Sequence, residues 1–296
     1  MIRSPAAPEP LPGSRRHRIF RPLRLLTALL LAPAVVLAAP RARAFCRTTA
    51  EVIPADYNPV VSGCLNGTPL AWTTMPVSYQ IFQGASAQVS LAEATPIIDA
   101  AFAKWPAASC SPTDASKHPD LSIEDNGITD APDPCEGAPC DLTQYAAHAI
   151  YFRDDSWPYT DSANEIALTT VTYGVDDGRI FSAIMEINSH DNEFSVSSPP
   201  AEGAISLEAV VTHEAGHFVG MAHSQDTGAI MYAYYRGDEV TLTADDEEGI
   251  CTVYPPAPSG CSCHLVRGGR GEGWPLAGGL ARLAVATYRR RRPRLL

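Results

Sequence analysis

One stretch limits what this chain can become: Val211-Thr-His-Glu-Ala-Gly-His-Phe-Val-Gly-Met-Ala-His223. Residues four apart on a helix sit one above the other, so His213 and His217 share a face and can grip one ion. Glu214 lies one step round the same helix, close enough to take a proton from a metal-bound water. Gly220 falls where the helix has to stop, and glycine accepts the left-handed conformation that lets a chain double back. That reversal delivers His223 as a third ligand. Three imidazoles leave one position of a tetrahedral zinc open for water, the catalytic rather than the structural arrangement. The bland alternative is a buried helix that merely carries polar residues. It would bury three unpaired histidines beside a glutamate, which is costly without a metal.

A bare H-E-x-x-H arises by chance in many helices. The extended H-E-x-x-H-x-x-G-x-x-H is far more restrictive, and a methionine comes after it in Gly228-Ala-Ile-Met231-Tyr232. On these residues the chain resembles the metzincin metalloproteases, whose zinc site rests on a methionine turn. Ser224 directly after the third histidine is the matrixin-like form. The resemblance implies an α/β (α+β) fold: a twisted, mostly parallel five-stranded sheet, an active-site helix, the methionine turn and a C-terminal helix. It further implies that Met231 packs beneath the ligands without touching the metal, and that a peptide lies antiparallel to an edge strand, here Ile166–Thr172, with Ala167 and Tyr235 at the substrate pocket. Matrixins continue from the turn with Pro-x-Tyr. Here Ala233-Tyr234-Tyr235 keeps the tyrosine and lacks the proline, which leaves the pocket's depth and rim open. The propeptide cysteine switch of that family is also missing. Ser62-Gly-Cys64-Leu-Asn-Gly67 has no arginine before the cysteine and no proline–aspartate after it, so Cys64 reads as a disulfide partner.

The net charge of -11 hides a sharp asymmetry. Residues 1–44 hold eight arginines against one acid, and residues 255–296 do the same. The body between them keeps 6 basic residues against 31 acidic ones, a net of -25. Such a body repels nucleic acid and anionic membranes. It suits a secreted, calcium-rich or salty setting, and the acidic loops make calcium a second cation to consider, although no EF-hand-like spacing occurs. His148 and His190 sit in surroundings unsuited to a structural zinc.

The N-terminus reads as an export signal. Arginines through Arg24 precede an apolar run from Leu25 to Ala39, and Ala42-Arg43-Ala44 offers a small-x-small cleavage pattern. The run contains Pro33 and falls short of the roughly 20 apolar residues of a membrane span. Arg15-Arg16 could open a twin-arginine signal, but the residues after that pair fit the general secretory route better. Eight cysteines in an exported chain argue for disulfides. Proximity favours Cys46–Cys64 and Cys135–Cys140 and leaves Cys110–Cys251, although six cysteines allow about 15 pairings.

Along the chain, 45–72 is a short extension and 73–254 the metzincin-like domain. Strands are expected at Val77–Phe82, Leu121–Glu124, His148–Arg153, Glu165–Tyr173 and Ile180–Asn188, with a helix from Val89 to Trp105. Residues 125–145 read as a loop suited to ion binding, and Asp176-Asp177-Gly178 as a hairpin. Ser206 caps the helix from Leu207 to about Val219, and Thr243 caps a last helix ending near Tyr254. Beyond Pro255 lie a proline-rich linker, Cys261-Ser-Cys263, an apolar run Trp274–Tyr288 and terminal arginines. That order resembles the C-terminal sorting tags of myxobacterial surface and secreted proteins, in a copy that Arg282 interrupts. A disordered basic tail is the other reading.

The resulting expectation is a secreted or surface-exposed, monomeric zinc endopeptidase that acts on proteins or peptides, with Glu214 as general base. The competing class is a catalytically silent adhesion or binding module on the same shell. Loss of Glu214 or of a histidine would have been its signature, and all four residues are intact. If residues 1–44 are a cleaved signal, N-terminal sequencing of exported protein should begin at or within a residue or two of Phe45. An intact Met1 on that protein would refute the signal.

Overall fold

The computed structural model describes residues 44–133, 148–159 and 165–257, and the backbone of 282–289. Its elements in chain order are β1 (Cys46–Arg47), β2 (Val77–Phe82), α1 (Leu91–Ala103), β3 (Ile123–Thr129), β4 (His148–Phe152), β5 (Glu165–Tyr173) and β6 (Ile180–Ile187). After these come β7 (Phe194–Ser195), β8 (Ile205–Ser206), α2 (Leu207–Phe218), β9 (Met221–Ala222), α3 (Ala244–Val253) and β10 (Arg282–Arg289). No helix among the described residues is long and apolar enough to cross a membrane.

Alternation builds the sheet. Along β2, Val77, Tyr79 and Ile81 point inward and Ser78, Gln80 and Phe82 are half-buried, as a strand with one face on the core requires. Strands β3 and β4 flank β2 in parallel, β6 lies parallel to β4, and β5 runs antiparallel to β6. The five strands of the body thus form the mostly parallel sheet that the resemblance implied. Asp176-Asp177-Gly178 does turn the chain between β5 and β6, and Gly178 adopts a φ of 70° there.

Two segments depart from expectation. Residues 125–129, expected as loop, belong to β3. That strand lies at the sheet's edge with mostly exposed side chains, so Asp125, Asn126 and Gly127 carry no hydrophobic alternation, and the backbone of β2 decides its conformation. Residues 130–133 are irregular, and 134–145, with Cys135 and Cys140, lie outside the described residues. The second departure is β10, which pairs antiparallel with β5 as a sixth strand. Residues 282–289 of the tail are extended in the structure. Strand pairing joins residues far apart in sequence, so nothing local could announce it.

Helices α1 and α2 pack against one another and on the sheet. Ser90 and Glu93 form a reciprocal capping box at the start of α1. Phe102 and Trp105 fill the seam, with Phe102 stacked on Tyr79 and set edge-on to Phe218. The Trp105 indole donates to the Thr212 carbonyl at 3.0 Å. Two disulfides staple the periphery, Cys46–Cys64 on the extension and Cys110–Cys251 onto α3. The first is a pairing that sequence proximity favoured, and the second is the one it left over.

The extension does more than precede the body. Phe45, Leu70 and Trp72 are buried in the core, and β1 pairs with β9, the two residues that immediately precede His223. A helix leaves its last carbonyls unpartnered, and here the Trp72 indole donates to Phe218 O and the Tyr254 hydroxyl to Val219 O. Thr48 N donates to Gly220 O. Segments from both ends of the body thus fasten the place where α2 stops.

Gly216 shows how tightly α2 is seated. A Cβ there would fall onto Met231 Sδ and within 2.6 Å of the Trp105 ring. Gly216→Ala should therefore overpack the helix against the methionine turn and destabilise the fold by about 1–3 kcal/mol. Urea unfolding checks this, and an unchanged midpoint would show that the helix has room to shift.

Candidate active site

Ser206 opens α2, its hydroxyl accepting from Ala209 N, and every residue from Ala209 to Phe218 is buried. Burial on all sides of a helix with two histidines and a glutamate is the physical anomaly of the site. After Phe218 the chain reverses at Gly220, whose φ is 93° and whose missing Cβ would meet the Leu70 carbonyl at 2.7 Å. The two strand residues of β9 then carry His223 back over the helix.

The reversal brings three imidazoles together. His213 Nε2 lies 3.1 Å from His217 Nε2, which lies 3.3 Å from His223 Nε2. The opposite ring nitrogens have other partners: His213 Nδ1 is 2.6 Å from Ile230 O, and His217 Nδ1 is 2.9 Å from Met221 O. A carbonyl only accepts, so each of these Nδ1 atoms carries the proton and each Nε2 presents a lone pair to the shared centre. Burial holds both rings neutral: it pushes His217 down to about 4, and it sets His213 well below the usual imidazole range with help from its two neighbours. Converging lone pairs repel one another unless a cation stands between them. The donor set thus fits a soft-to-borderline divalent metal such as zinc.

Glu214 is fully buried on the same turn of α2. The Thr169 hydroxyl, on β5, donates to its Oε2 at 2.7 Å, whereas Oε1 has no hydrogen-bond partner among the described residues. Burial drives this carboxyl up to about 8; the Thr169 bond pulls it back, and Glu165 adds repulsion. The result is a carboxyl poised near neutrality with one oxygen uncommitted. Thr169 carries no motif in sequence, and its part emerges only because β5 crosses beneath α2.

The methionine turn is tied to the histidines from behind. Ile230, whose carbonyl holds His213, and Met231 both donate their N–H groups to the carboxylate of Asp246. The same carboxylate accepts from Thr243 N and closes the capping box of α3. Burial raises the Asp246 pKa, with the Thr243 bond the chief opposing influence. Met231 itself is wholly buried, its sulfur lying against Gly216 of α2. On the other side, Ser224 N donates to Met231 O, and the Ser224 hydroxyl donates to Asp245, whose other oxygen accepts from the amides of Ala44 and Phe45. Thr243 was legible as a cap, but the grip of Asp246 on the methionine turn was not.

The pocket residues stand apart from this cluster. Tyr235 accepts through its hydroxyl from Ser206 N at 2.9 Å, beside the start of α2. Ala167 is buried on β5, two residues from Thr169 and on the same strand face. A small cleft beside the methionine turn is lined by Ala209, Ile230, Tyr234, Arg236 and Glu239. His148 and His190 lie outside the cluster: the His148 ring contacts the Ser78 and Phe181 carbonyls, and His190 pairs with Asp191.

Compared with known proteins, residues 71–255 match the family model described as Matrixin. Metalloendoproteinase 1-MMP of Arabidopsis thaliana is 36% identical over 88 residues, which is 29% of this chain and 23% of that protein. Metalloendoproteinase 1 of Glycine max is 43% identical over 61 residues, 20% of each. The interstitial collagenase of Bos taurus is 46% identical over 52 residues, 17% of this chain and 11% of that protein. The chain thus spans about a quarter or less of the length of the curated relatives it matches.

Asp246→Ala strips the buried N–H groups of Ile230 and Met231 and the part-buried N–H of Thr243 of their acceptor and releases the turn that holds His213. It should destabilise the fold by more than about 2 kcal/mol and weaken zinc binding about 10–100-fold. Urea unfolding and competition with a chromogenic chelator measure the two effects. Wild-type zinc affinity in a folded Asp246→Ala protein would show that the turn does not depend on this carboxylate.

Proposed function

The chain belongs to the matrixin family, and from that premise we propose that it is a secreted zinc-dependent endopeptidase acting on protein or peptide substrates. His213, His217 and His223 would hold the zinc through Nε2. A bound zinc supplies a Lewis acid, which acidifies water and stabilises the oxyanion formed on the scissile carbonyl. Glu214 is the general base. Its Oε1 accepts a proton from the attacking water and returns it to the leaving amine, while Thr169 keeps Oε2 occupied and the carboxylate in one orientation. The observation that carries this reading is the conjunction of a buried Glu214 Oε1, without a hydrogen-bond partner among the described residues, and three converging imidazole nitrogens. A purely structural helix has no use for either.

The substrate would lie extended along the outer edge of β5, the side away from β6, and antiparallel to it. Ala167 on the strand and Tyr235 near the first turn of α2 would contribute to the pocket. Export is read from the N-terminal signal and accords with the two disulfides. Cleavage after Ala44 would turn the Phe45 amide into an ammonium group 3.0 Å from Asp245, where an acidic partner already waits.

Two variants separate enzyme from binding module. Glu214→Ala keeps all three ligands, so zinc content and folding should persist while cleavage of a quenched peptide library falls roughly 10²–10⁴-fold. His223→Ala should lose both zinc and activity. Equal inactivity of zinc-loaded wild type and Glu214→Ala, with any N-terminal extension trimmed and the strand 282–289 displaced from β5, would overturn the protease reading in favour of a silent module.

A further inference from the structure

Among the strands of the large sheet, β5 and β3 would be the two edges if the chain ended after α3. Among the described residues β3 stays open, but β5 does not. From Arg282 opposite Tyr173 to Tyr288 opposite Ala167 the tail pairs with β5 residue for residue, and only at Arg289 does the register shift. The pairing is antiparallel, and β10 also lies against α2, the helix that bears His213, Glu214 and His217. Ala286 stands opposite Thr169, the residue whose hydroxyl holds Glu214. The tail therefore covers the strand edge beside the site, in the direction proposed for a substrate.

We propose that residues 282–289 are an intramolecular competitor for the substrate edge of β5, so that this protein is held latent by its own C-terminal strand. The proposal rests on the protease reading above. Its physics is that of strand addition: an open edge offers a row of backbone donors and acceptors, and the first extended segment to reach it satisfies them. A tethered segment needs no encounter from solution. Charge favours the same occupant, because the tail brings eight arginines and one acid to a body whose net charge is -25. It also meets a need that the sequence leaves open, since the cysteine of Ser62-Gly-Cys64 is bound to Cys46 and cannot serve as a blocking thiolate.

The strand has to leave before a substrate can pair, so apparent affinity falls by the fraction of time the edge is open. Opening needs no chemistry. Displacement by a strongly pairing substrate, or cleavage between α3 and β10, would suffice.

The test uses the full chain carrying Val285→Pro together with Ala286→Pro. One of two successive residues in a strand directs its N–H at the partner, so the pair removes a ladder donor whichever it is, and proline breaks the extended pairing. Two readouts are taken. In a Glu214→Ala background, amide hydrogen exchange across 166–172 should accelerate in the double-proline chain relative to the parent, because alternate β5 amides lose their acceptors. With Glu214 intact, the double-proline chain should cleave a quenched peptide with KM lowered about tenfold or more and kcat little changed. A synthetic peptide of residues 282–289 should then inhibit it competitively. Unchanged exchange over 166–172 overturns the proposal whatever the activity. Faster exchange with unchanged KM overturns it too, since the tail would then cover the edge without guarding it. If every chain is inactive while exchange responds as expected, the protease reading has failed, and the edge-covering strand stands.

Discussion

The reversal at Gly220 is the constraint on which the rest depends. Two histidines a turn apart on a helix can touch one ion, but a third donor has to come from outside the helix. It arrives only if the chain turns back within the next few residues. A φ of 93° makes the turn, and the Leu70 carbonyl, where a Cβ would sit, keeps it a glycine. The carbonyls left behind at the end of α2 are taken by Trp72 and Tyr254, from opposite ends of the body. The short extension and the last helix are therefore parts of the metal site's scaffold, although neither supplies a ligand.

Behind the ligands stands a chain of backbone hydrogen bonds. Asp246 holds the N–H groups of Ile230 and Met231, Ile230 O holds His213 Nδ1, and Met231 O accepts from Ser224 beside His223. Each bond fixes a donor or acceptor that burial would otherwise leave unsatisfied, and the link to Ile230 O sets the orientation of the His213 ring. Gly216 lets Met231 approach within contact of α2. The methionine is thus packing material at a point where side-chain volume on the helix has been reduced to nothing.

The electrostatics of the site derive from its dryness. Burial depresses His213 and His217 and raises Glu214, so the same environment keeps the two imidazoles neutral and lifts the carboxyl towards neutral pH. Thr169 belongs to this arrangement as much as the motif does. It ties Glu214, the proposed base, to β5, the strand along which substrate is proposed to lie.

The chemistry proposed for this protein is written in one helix and the turn after it: histidine spacing, Glu214, reversal and methionine are all local in sequence, and local patterns survive being read in one dimension. The strands with buried faces were legible for the same reason, since Val77–Phe82 and Glu165–Tyr173 carry their hydrophobic pattern within themselves. What only the tertiary structure decided involves partners far apart along the chain. Thr169 meets Glu214 across 45 positions, Trp72 reaches Phe218 across 146, and Ala44 reaches Asp245 across 201. The start of β3, Ile123–Glu124, was legible as strand, but its polar continuation over 125–129 and the pairing of the tail strand β10 are decided by a neighbour's backbone, whose hydrogen bonds accept almost any side chain.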